Sequence, residues 1–176
     1  MAWTNPETFT AGQTLTAASM NAISDNLRAG GAAMVQVRRT TTQSTSNVTW
    51  AHVSFDASAT YDTDSMFASG TPTYVTVNTA GIYLITAQVA FANNGAGARL
   101  VYIEKNAPSP GTGTALSYAN AVPQNVSDQT FAIAATVPLV ATDKVYLSVY
   151  QSSGGNLNLV TNPYQSLCLT WLAESP

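Results

Sequence analysis

From Val35 to the C-terminus, apolar and β-branched runs recur at intervals of roughly 8–12 residues, the rhythm of a sandwich or barrel. Strands are expected at "AMVQVRR", "NVTWAHVSF", "TYVTVNT", "GIYLITAQVAFA", "ARLVYIEKN", "ALSYANAV", "QTFAIAATVPL", "KVYLSVYQS", "NLNLV" and "QSLCLTWLA". The segments between them, "NNGAG", "APSPGTGT", "PQNVSD", "VATD" and "SSGG", supply the Gly, Pro, Asn and Asp that turns require. In "GIYLITAQVAFA", alternation puts Tyr83, Ile85, Ala87, Val89 and Phe91 on one face and Ile82, Leu84, Thr86, Gln88 and Ala90 on the other. In "QSLCLTWLA", Leu167, Leu169 and Trp171 alternate with Cys168, Thr170 and Leu172. Neither strand has the charged outer face of an ordinary antiparallel sheet. The second face is therefore expected beneath loops or against a neighbouring subunit, with Leu84, Thr86, Leu167, Leu169 and Trp171 at the subunit contact.

The first residues follow a different period. In "LTAASMNAISDNLR", Thr16 is a good N-cap, Met20, Ile23 and Leu27 form a narrow apolar stripe, and Gly30 can end the helix. A helix of about 12 residues is marginal alone, so the stripe must pack on something. The small-residue run "AGGAAM" reads as a linker. Two parts result: residues 1–34, an arm with a short helix, and residues 35–176, an all-β domain.

Composition sharpens this picture. The 176 residues suit one domain and an appendage. Only 9% are charged, against roughly 25% in ordinary soluble domains. The polar surface must then be Ser, Thr, Asn and Gln, which suits a particle exterior or a surface buried against copies of itself. With six Lys and Arg and a net charge of −3, the chain has little to neutralise phosphates, so nucleic acid is not an expected partner. The start "MAWTNPETF" has neither basic nor apolar signal regions, and no apolar run nears the roughly 20 residues of a membrane span. Neither a secreted precursor nor membrane insertion is expected.

Candidate chemistry is sparse. Cys168, the lone cysteine, excludes an intrachain disulfide and, among alternating apolar residues, reads as a buried, inert thiol. His52, the lone histidine, shares a strand face with Val48 and Trp50 and reads as structural or interfacial. Asp62 and Asp64 form a D-x-D pair without the Gly and Glu of an EF-hand, so a turn is expected. There is no P-loop or dinucleotide fingerprint. Neither an enzyme nor a bound cofactor or metal is expected.

Three blocks carry a resemblance: "VTVNTAGIYLITAQVAF", "ATDKVYLSVYQSSGGNLNL" and the closing "SLCLTWLA", with "FDASATYDTDSMF" upstream. They resemble the jelly roll of the tumour necrosis factor superfamily and the complement C-one-q globular heads over about four-fifths of the chain, most specifically at Gly81-Ile82-Tyr83. The resemblance implies a ten-stranded sandwich that assembles as a homotrimer and binds ligands through loops and inter-subunit grooves without catalysis. Ligand-facing positions would then be Asn93, Asn94, Ser109, Thr112, Ser152 and Asn156, on the loops between strands. The chain departs from the secreted members in lacking a signal peptide, a collagen-like stalk and a disulfide.

The N-terminal segment resembles the arms of tailed-bacteriophage virion proteins through Trp3, Phe9, Gly12, Leu15, Thr16, Ala17, Met20, Asn21 and Leu27. That resemblance implies a location on the particle exterior, with Trp3, Phe9, Leu15, Met20, Ile23 and Leu27 anchoring the chain to other virion proteins. Two roles follow. In one, a tail fibre or tail-tip protein binds a host surface glycan or protein; in the other, a capsid decoration protein or head fibre clamps capsomers and projects its knob.

Overall fold

The computed structural model describes residues 16–21, 33–123, 125–161 and 165–175. Alternation of buried and exposed side chains shapes twelve strands among them: β1 (Met34–Arg39), β2 (Gln43–Thr45), β3 (Thr49–His52), β4 (Tyr61–Asp62), β5 (Tyr74–Thr76), β6 (Gly81–Phe91), β7 (Arg99–Lys105), β8 (Thr114–Ala121), β9 (Gln129–Leu139), β10 (Lys144–Gln151), β11 (Leu157–Leu159) and β12 (Gln165–Ala173). The ten expected strands are present. The short β4 lies in "FDASATYDTDSMF", where the resemblance implies a short strand and loop, and the short, polar β2 is additional.

The strands form two antiparallel sheets. One runs β2-β11-β6-β12-β1-β4, with β9 on the other edge of β6; the second runs β3-β10-β7-β8, with β5 beside β10. The core lies between them, where Val35, Val37, Tyr83, Ile85, Val89 and Phe91 meet Val101, Ile103, Val145, Leu147 and Val149. Burial of these apolar faces is the main favourable contribution to folding.

Register gives the sandwich two distinct ends. At one, here called apical, Phe91 pairs with Gln129 and Leu159, Arg99 with Gln151, and Arg39 with Gln165. At the other, basal, Gly81 pairs with Leu139, Met34 with Thr170, and Lys105 with Thr114 and Val145. Residues 33–34 thus join the sandwich at the basal end. There Gly81 is sterically required, since a Cβ would collide with the Trp171 indole Nε1.

The face assignment of β12 differs from the expected one. Leu167 and Leu169 have no exposed surface and pack in the core, opposite Ala87 and Ile85 of β6. They cannot form a subunit contact. Trp171 is half-buried against the same core, its indole Nε1 donating to the Ala80 carbonyl (3.1 Å) beside a bulge between Trp171 and Ala173. Because side chains alternate, Cys168 then points outward. It is half-buried, with its Sγ 3.1 Å from the Tyr61 hydroxyl, rather than enclosed among apolar side chains.

Residues 17–21 are helical. Thr16 caps them as expected, its Oγ1 accepting from the Ser19 backbone N–H (3.1 Å). Met20 is 50% exposed. Trp3, Phe9, Leu15, Ile23 and Leu27 lie outside the described residues, as does the rest of the expected helix. Among the described residues, no helix is long and apolar enough to cross a membrane.

Candidate functional site

Four loops crowd the apical end: β2–β3, β6–β7, β8–β9 and β10–β11. They are tied to one another. The Asn47 side chain accepts from the Gly154 N–H (2.9 Å), Ser152 Oγ from the Ala98 N–H (3.0 Å), and Asp128 from the Asn93 N–H (2.8 Å). Buried polar side chains hold them from beneath. Arg99, with no exposed surface, donates to the carbonyls of Asn94 (3.0 Å), Ala96 (3.0 Å) and Ala98 (2.9 Å), and its guanidinium lies 5.8 Å from the Phe91 ring centre. Burial lowers its pKa below the ordinary arginine value. Gln151, equally buried, donates to the carbonyls of Thr45 and Gly155 and accepts from the Ser153 N–H. These side chains replace the sheet partners that loop carbonyls lack, so the loops are pre-shaped.

The six expected ligand-facing residues therefore divide. Asn93, Asn94, Ser152 and Asn156 belong to the apical cluster. Ser109 and Thr112 lie on the β7–β8 loop at the basal end, which folds back over the outer face of the five-stranded sheet. Glu104 holds that loop: fully buried, it accepts from the N–H groups of Gly111 and Gly113, both at 3.1 Å. Gly111, at φ +77°, lies so close to the Trp50 ring that a Cβ would sit 2.8 Å from it.

The outer face of the seven-stranded sheet is a second candidate surface. Leu84, 36% exposed, and Thr86 point outward as expected. Register places Gln36, Cys168, Thr86 and Ala134 in one row and Arg38, Ser166, Gln88 and Ala132 in the next. The small Ala132, Ala134 and Ser166 leave a shallow trough of about 430 Å³, also lined by Gln36, Thr86 and Gln88.

The lone histidine and the D-x-D pair have structural partners. Nδ1 of His52 lies 3.0 Å from Ser148 Oγ, and the ring stacks on Tyr146 at 4.6 Å. Burial lowers its pKa, against the opposing pull of the Glu104 carboxylate and the Ala107 backbone. Asp62 accepts from the N–H groups of Met66 and Phe67, both at 2.9 Å, making the D-x-D segment a turn. Among the described residues, no three His, Cys, Asp or Glu side chains are grouped to hold a metal.

The two sheets and their strand order make this a jelly roll of the tumour necrosis factor and complement C-one-q type. Among solved structures, it is similar to the globular domain of zebrafish complement 1qA, at 14% identity and a TM-score of 0.58, over 81% of this chain and 99% of that one. Murine APRIL gives 14% identity and a TM-score of 0.60, over 80% and 98%. Eiger TNF from S. frugiperda gives 16% and 0.56, over 82% and 94%. No family model and no curated protein matches the sequence.

Proposed function

We propose that this chain is a structural protein of a bacteriophage virion. It is a non-enzymatic homotrimeric knob on the particle exterior, held to other virion proteins by its residue 1–34 arm, and its apical loops adhere to a host surface glycan or protein. The observation that carries this reading is polarity. Residues 33–34 join the sandwich at the basal end, while Asn93, Asn94, Ser152 and Asn156 crowd the apical end. A protein tethered at one end and reading a surface with the other requires that separation. The phage assignment rests on the resemblance of the arm. The trimer is supported by the resemblance of the domain and by the small, nearly uncharged outer face of the seven-stranded sheet, which a second copy can cover at little desolvation cost.

Purified full-length protein is expected to bind host cells and to compete with infection, and gold-labelled antibody is expected to mark tails. Failure to compete, with label confined to heads, would replace adhesion by capsid decoration. Native mass measurement at micromolar concentration is expected to give three chains; a monomer would contradict the assembly.

A further inference from the structure

The outer face of the five-stranded sheet carries a continuous row of aromatic rings. Trp50 on β3 lies 4.7 Å, centre to centre, from Tyr102 on β7, and Tyr102 lies 5.5 Å from Tyr118 on β8. Tyr150, paired with Trp50 across β3 and β10, adds a fourth ring at 5.4 Å. Trp50 and Tyr102 meet although β10 runs between their strands, because β10 presents the small, fully buried Ser148 beside Tyr102. The row crosses four strands, about 14 Å at the usual inter-strand spacing. Tyr118, at its open end, is 64% exposed.

The row is held in place. Gly111 abuts the Trp50 ring, and the loop bearing it is pinned by Glu104 through two backbone hydrogen bonds. Burying a carboxylate to fix one loop is costly, and what it secures is a loop packed on the Trp50 indole, the ring against which Tyr102 stands. Rings fixed before binding lose little freedom when a ligand stacks on them.

The surroundings select the ligand. Glu104 is enclosed with both oxygens engaged, and Lys144 lies over Tyr74, 4.5 Å from its ring centre and off the row. Among the described residues, no other charged side chain lies on the row. The exposed amide of Asn120, two residues along β8 from Tyr118 on the same face, lies beside it. A nucleic acid could stack its bases here but would find nothing for its phosphates. A pyranose presents an apolar C–H face to an aromatic ring and a rim of hydroxyls to amides. Neighbouring rings are tilted by 45–57°, which suits a single twisted chain rather than a flat crystalline surface.

We propose that Tyr118 and Tyr102, backed by the loop-covered Trp50 and by Tyr150, form a lateral binding site for a neutral oligosaccharide chain, separate from the apical loops. The test uses purified full-length protein on an array of neutral hexose and N-acetylhexosamine oligosaccharides, followed by titration of the strongest binder against intrinsic tryptophan fluorescence. Tyr118→Ala, at an exposed position, is expected to weaken binding at least tenfold with unchanged Tm, and Val140→Ala, on the basal β9–β10 turn, to leave it unchanged. Four results would overturn the site: no neutral glycan bound, binding insensitive to Tyr118→Ala, equal binding of a proline-rich peptide, or an oligomeric mass that changes with Tyr118→Ala. The assay involves neither cells nor particles, so its failure is distinct from failure of the virion reading.

Discussion

The two outer faces of the sandwich are built from the same kind of strand and are chemically opposite. On the seven-stranded sheet the outward positions include the small or aliphatic Ala132, Ala134, Thr86, Ser166 and Leu84, with Gln36, Gln88 and Arg38 among them, around a shallow trough. On the five-stranded sheet they include two groups of touching rings, Trp50, Tyr102, Tyr118 and Tyr150 in one and His52 with Tyr146 in the other, with a buried carboxylate beneath the covering loop. A face of small side chains permits close approach of another flat surface; a face of fixed rings favours a ligand that stacks. The sheet is thus a neutral scaffold, and the outward half of its alternation decides what each side can meet.

The most severe way to break this comparison is to invade the core that separates the faces. Leu169→Ala should lower the unfolding free energy by about 2–5 kcal/mol in urea denaturation, because Leu169 is fully enclosed. Leu84→Glu, outward on the same sheet, should cost the monomer little and, in the trimer proposed above, shift native mass from three chains to one. On the aromatic side, Glu104→Gln replaces one acceptor oxygen by a donor facing a backbone N–H. It should cost about 2 kcal/mol and expose Trp50, seen as a red shift in fluorescence.

A pH titration sharpens the contrast further, because His52 belongs only to the aromatic face. Its folded pKa lies below 6.5, so the unfolded chain takes up the proton first, and stability should decline as pH falls below about 6.5. Asp56 acts in a lower window. Its carboxylate accepts from the backbone N–H groups and hydroxyls of Thr40 and Thr41, which outweigh its desolvation and bring its pKa down to about 2. Its contribution is present above about 3.8 and lost as pH falls toward 2. Thermal unfolding of His52→Gln should lack the first decline and keep the second. The smallest effect is expected at Cys168: Cys168→Ser on the outward face should change stability by less than about 0.5 kcal/mol.

Much of the fold was legible because the long strands are apolar runs bounded by turn residues, alternating over most of β6 and β9 and buried on both faces in β10. β6, β9 and β10 follow their hydrophobic pattern nearly to the residue. β2 was illegible because "QST" has no apolar repeat, and it exists because it pairs with β11. Parity was readable on β12 but direction was not: alternation separates Leu167 and Leu169 from Cys168, and only pairing with β6 decides which set faces inward. Arg99 and Gln151 carried a faint signal, a polar residue bounding an apolar strand, that reads equally well as a surface residue. Ser109 and Thr112 were grouped with Asn93 and Ser152 as loop residues. Separating them requires knowing which way β7 runs, and that information resides in strand pairing rather than local sequence.

The position of β12 between β1 and β6 has a kinetic meaning. Among the twelve described strands, the partner of β1 is the one synthesised last, so the facing edges of β1 and β6 stay bare for on the order of ten seconds at ordinary translation rates. Until Gln165–Ala173 emerges, the nascent chain presents open strand edges to every neighbouring copy on the polysome. Folding of this topology is dominated by distant pairings and is correspondingly slow. The scarcity of charge leaves those edges poorly guarded, and the yield of native protein should depend more on chain concentration and temperature during synthesis than on salt.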